Sequence, residues 1–93
     1  MKIYKYELTS SNQMYISKVK MPMIRKPISV GEQNNKLFVW AEIDESDKDF
    51  MDVMFIVIPT GAEVSLVDDM IFIGTVQMSN GEVFHIYWDK DWE

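Results

Sequence analysis

At 93 residues the chain has room for one domain and not two, and 47% hydrophobic with 13% aromatic residues is more apolar surface than so small a core hides. Nine basic against fifteen acidic residues give a net charge of −6, which argues against general binding to DNA or RNA phosphates. The lack of cysteine excludes disulfides and a thiolate nucleophile, and no apolar run approaches membrane-spanning length.

Taken in chain order, the residues repeat with a period of two, the period of strands. "KIYKYEL" (2–8) alternates Lys2 and Ile3, then sets Tyr4 and Tyr6 against Lys5. This opening lacks the apolar segment and cleavage site of a signal peptide, so a cytoplasmic location is the default expectation. "MYISKVKM" (14–21) is a second strand, and Pro22 and Pro27 bracket a stiff connector. "PISVGEQ" (27–33) and "KLFVWAEI" (36–43) flank Asn34-Asn35, a pair that tolerates positive φ and predicts a tight hairpin. "DESDKD" (44–49) reads as an exposed acidic loop. "DVMFIVI" (52–58) is a buried strand that runs into Pro59-Thr60-Gly61. "GAEVSLVDD" (61–69) suits a loop, or at most one short helical turn. "DMIFIGTVQM" (69–78) and "EVFHIYW" (82–88) flank Ser79-Asn80-Gly81, where Asn-Gly is a strong hairpin signal. Residues 89–93 form a polar tail expected to fray, Trp92 apart.

The expected fold is therefore all-β and mainly antiparallel: about seven short strands in a small sandwich or barrel, one domain over 1–93. The best strands are apolar on both faces. In 36–43, Leu37, Val39 and Ile43 line one face and Phe38 and Trp40 the other. A sheet with one wet face alternates more cleanly, so the second cover is expected from another subunit of a homo-oligomer.

Charge is unevenly placed. Residues 1–30 hold six bases and one acid, Glu7, whereas 31–93 hold three bases and fourteen acids. "KVKMPMIRK" (18–26) has four positive charges and no acid. A solvated face is the plain reading; a local anion site is the sharper one.

Catalytic constellations are missing. The single histidine, His85, has no cysteine with which to build a common zinc set and no motif that supplies a nucleophile and orienting carboxylate. The acidic loop lacks the glycine and distal glutamate of a calcium loop. Neither the phosphate-loop nor the dinucleotide glycine pattern occurs. The expectation is a protein that is not an enzyme and uses no cofactor or metal. Binding chemistry is better supplied. Trp40 and Tyr15 are candidates to stack on a planar ring, and Arg25 with Lys26 suit phosphate. Thr60, the Gly61 backbone, Glu63, Gln77 and His85 are candidates to read polar edges.

In order, "IYKYEL", "MP" (21–22), "ISVGEQNNKLFVWAEID" (28–44), "TG" (60–61), "IGTVQ" (73–77) and "GEVFHIYW" (81–88) resemble a family of small phage-encoded proteins of unknown function. The likeness covers nearly the whole chain and lies in the order of short motifs. It extends to the tetrameric anti-CBASS sponge proteins of phages. That resemblance implies a homo-oligomer, a tetramer, that holds a cyclic dinucleotide of the 3′3′-cGAMP type without cleaving it, with neither DNA, RNA nor membrane as partner. This sequence departs at Pro59, which replaces the first glycine of the family's Gly-Thr-Gly turn; Thr60 and Gly61 match. The alternative reading is a viral accessory protein whose acidic 31–93 region meets a basic host partner.

Overall fold

The computed structural model describes residues 2–9, 15–22, 24–44, 50–64 and 70–90. Seven strands account for most of them: β1 (Lys2–Leu8), β2 (Ile16–Pro22), β3 (Ile24–Gln33), β4 (Lys36–Ile43), β5 (Phe50–Pro59), β6 (Met70–Gln77) and β7 (Val83–Asp89). They form a three-stranded sheet ordered β1-β4-β3 and a four-stranded sheet ordered β2-β5-β7-β6. Every pairing is antiparallel. The fold is all-β, and no helix occurs among the described residues.

The hairpin at Asn34-Asn35 forms as its sequence predicts, with φ of 53° and 60° at the two asparagines. Asparagine tolerates this left-handed backbone because its short polar side chain can hydrogen-bond to the local backbone. The loop at 79–82 closes the β6–β7 hairpin, with Gly81 at φ 93°. The connector expected between Pro22 and Pro27 is instead strand from Ile24 onward. Pro27 is tolerated there because the ladder with β4 is irregular on both sides of it, shifting register between Ile24 and Lys26 and between Pro27 and Ser29. β7 runs through Asp89, one residue into the tail expected to fray. Residues 45–49 of the acidic loop, 65–69 of the expected loop or helical turn, and 91–93 lie outside the described residues.

Between the sheets lies a core of Leu8, Leu37, Val39, Val53, Phe55, Val57, Phe84, Ile86 and their neighbours. Strand alternation puts these side chains on inward faces, and removing their surface from water drives the sheets together. A second cluster of Met54, Ile56 and Ile58 covers the outer face of β5. Each of the three is only 6% exposed. Their cover includes Tyr15, Ile16, Ala62, Met70 and Tyr87 of the same chain. The outer face of β5 is thus covered from within the chain.

The two sheets also approach at their flanks, β3 beside β6 and β1 beside β2. At the first flank a Cβ on Gly74 would lie 2.9 Å from Val30 Cγ2, so glycine lets the strands close up. At the second, the Ser17 hydroxyl accepts the Thr9 backbone N–H at 3.0 Å. A carboxylate spans the sheets near one end. Glu32 Oε2 accepts from the Asn35 N–H at 3.2 Å, from the Ser79 N–H at 3.1 Å, and from the Ser79 hydroxyl.

Candidate binding faces

Register decides which functional side chains share a face. On the outer face of the three-stranded sheet, Ile3, Lys5 and Glu7 of β1 stand opposite Glu42, Trp40 and Phe38 of β4. Lys26, Ser29, Gly31 and Gln33 of β3 stand opposite Glu42, Trp40, Phe38 and Lys36. Trp40 leans across Gly31, where a Cβ would meet its ring at 3.1 Å. Phe38 lies beside it, ring centroids 6.4 Å apart and tilted by 56°. Lys5 Nζ sits 4.6 Å from the Phe38 centroid and donates to Gln33 Oε1 at 2.7 Å. Lys26, with a side chain 68% exposed, pairs with Glu42 at 3.8 Å. The result is a half-buried aromatic pair with a cation to either side.

The outer face of the four-stranded sheet carries different chemistry. His85 stands opposite Ile58 of β5 and Thr75 of β6. Its Nε2 lies 2.7 Å from Thr60 Oγ1 and its Nδ1 3.0 Å from Thr75 Oγ1. The Thr60 hydroxyl also lies 3.5 Å from the Val83 carbonyl, which accepts the Thr60 N–H at 3.0 Å. Both ring nitrogens are thus held by hydroxyls, not by the orienting carboxylate that a catalytic histidine of the triad type uses. Gln77 lies two residues beyond Thr75 on the same face and is exposed. Tyr87 and Phe72 meet edge to face further along, at 5.3 Å.

The expected site residues therefore divide. Trp40 and Lys26 share the outer face of one sheet. Thr60, Gln77 and His85 belong to the outer face of the other. Tyr15, with φ 59°, packs on the apolar part of that second face and accepts the Val57 N–H through its carbonyl at 2.8 Å. Gly61 takes φ 94°, and Glu63 is exposed just beyond it. The Arg25 side chain lies outside the described residues. A single chain does not bring the two sets into one pocket.

Several contributors were not among the expected residues, Gly31, Phe38, Lys5 and Thr75 among them. Thr75 was legible by counting back from a three-residue loop at Ser79-Asn80-Gly81, which sets it opposite His85. Lys5 was not, because its place beside Phe38 depends on β1 pairing with β4 across the chain. A cleft of about 300 Å³ opens at the hairpin end, with Leu8, Leu37 and Phe84 as floor and Glu7, Lys36 and Glu82 on the rim. None of the expected site residues lines it.

No curated protein and no solved structure matches the chain. A family model matches over residues 1–93, its full length. The chain belongs to the family described as Domain of unknown function (DUF7352).

Proposed function

We propose that the protein is a non-catalytic ligand-binding protein that sequesters a cyclic dinucleotide of the 3′3′-cGAMP type, as a phage sponge acting against host CBASS defence. The observation that carries this reading is the Trp40–Gly31 platform with Lys5 and Lys26 on the same face. A base stacks on an aromatic ring without edge-specific contacts, and lysines beside it meet phosphate as point charges. A net acidic chain with this local cationic face discourages polyanionic nucleic acid while admitting a small dianion. Holding a signal needs affinity from stacking, charge and a preformed surface, with no reacting group.

Calorimetry with a panel of cyclic dinucleotides tests this. Binding is expected, and Trp40→Ala should weaken it by about 1–3 kcal/mol, roughly 5- to 150-fold, the usual worth of one stacked base. No heat from any member of the panel, with folded protein, would sink the proposal. A second reading, a viral accessory protein that binds a host protein, is favoured by the exposed Phe50, Ile71 and Phe72. It predicts stoichiometric capture of one host protein through those side chains, lost on Phe72→Glu.

A further inference from the structure

The row on the four-stranded sheet gives the His85 ring two hydroxyl partners, one of them beside a backbone carbonyl. A neutral imidazole has one N–H to give and one bare nitrogen to fill. The Thr60 hydroxyl has an internal destination for its proton, the Val83 carbonyl at 3.5 Å. In the tautomer with its hydrogen on Nε2, the ring donates to Thr60 Oγ1 at 2.7 Å. Nδ1 is left bare and takes the Thr75 hydroxyl proton at 3.0 Å. In this state every hydroxyl proton of the row points inward, and solvent meets only oxygen lone pairs.

One added proton reverses the outer half of the row. With Nδ1 protonated, the ring donates to Thr75 Oγ1 and the Thr75 hydroxyl must turn its own hydrogen outward. The outer face of β6 then offers an O–H donor beside a new positive charge, with the Gln77 amide two residues along the same face. We propose that Thr60, His85 and Thr75 form a proton-gated oxyanion site, closed while His85 is neutral and open to a sulfate- or phosphate-like group when it is charged.

The surroundings suit such a gate. From β5 and the turn after it the ring faces Ile58 and Thr60, and from β6 Thr75 and Gln77, none of which titrates near neutrality. On its own strand the neighbours on this face are Val83 and Tyr87, with Asp89 one position further. Among the described residues, the hydrogen-bond partners of the ring are thus two hydroxyls, which carry no charge against an incoming anion. This site is on the opposite sheet from Trp40 and stands whether or not that face binds a nucleotide.

The test is an NMR titration of the His85 Cε1–H from pH 8 to 5 in sodium sulfate and in chloride of matched ionic strength. Sulfate keeps its charge across this range. An anion that binds only the protonated ring should raise the His85 midpoint by about 1 unit. Thr75→Val should abolish the difference between the two salts, and Thr75→Ser, which keeps the hydroxyl, should restore it. Equal midpoints in both salts, or a sulfate shift that survives Thr75→Val, would overturn the proposal.

Discussion

Glu32 shows how much one residue can organise. Its carboxylate gathers two backbone N–H groups and the Ser79 hydroxyl, and so ties the end of β3 to the β6–β7 hairpin. The Ser79 hydroxyl, more than the backbone donors of Asn35 and Ser79, holds its pKa below the ordinary value of 4.5, against the opposing effect of desolvation. A lowered folded-state value means the contribution is complete above the unfolded value and is lost as pH falls through the lowered one. Denaturant titrations at stepped pH should therefore show stability falling on acidification below 4.5, with a shallower fall in Glu32→Gln. Identical pH profiles would show that the contact carries no linkage. Sequence gave no hint of this tie. Glu32 and Ser79 are 47 positions apart, and only the packing of two sheets makes them neighbours.

At the scale of elements, the local hairpins were readable and the long-range pairings were not. Asn-Asn and Asn-Gly specify turn geometry through backbone preferences, which act over a few residues. The Pro22–Pro27 segment misled because proline was read as a strand breaker, whereas the irregular ladder around Pro27 absorbs its missing N–H. Likewise, β5 was correctly read as buried, but its outer cover comes from residues as distant in sequence as Tyr15 and Tyr87. The same distance problem hid the site. Alternation places Trp40 opposite Leu37 and Val39 within β4, yet says nothing of which sheet carries His85. The approach of β3 to β6 is a property of two elements and has its own test. Gly74→Ala should cost about 1–3 kcal/mol in unfolding free energy, since the new methyl meets Val30 Cγ2 at 2.9 Å. Pairing it with Val30→Ala should recover part of that loss, and strict additivity would show that the two strands do not press on each other there.

For the whole molecule, the apolar excess seen in the composition is only partly absorbed. Among the described residues, Ile3, Phe50 and Phe72 remain 54%, 61% and 53% exposed, at the starts of β1, β5 and β6. Antiparallel pairing gathers these strand starts at the end away from the 300 Å³ cleft. If the tetramer that the family resemblance implies forms through that end, native mass spectrometry should show it. Phe72→Glu should shift the distribution towards smaller species, because it buries a charge in the contact. A wild-type protein that is monomeric at micromolar concentration would overturn the expectation of a homo-oligomer. The strand order also sets how the chain reaches this shape. Only β3–β4 and β6–β7 join strands across short turns; β2 must find β5 with Ile16 beside Ile56, and β1 must find β4 with Lys2 beside Ile43. These closures come at an entropy cost before contacts repay it, so folding is expected on the slow, millisecond-to-second side for so short a chain. Until β1 and β2 dock, the edges of β4 and β5 stay open. A nascent chain of this protein is therefore most prone to mispair in the interval after its hairpins form and before its first two strands are placed.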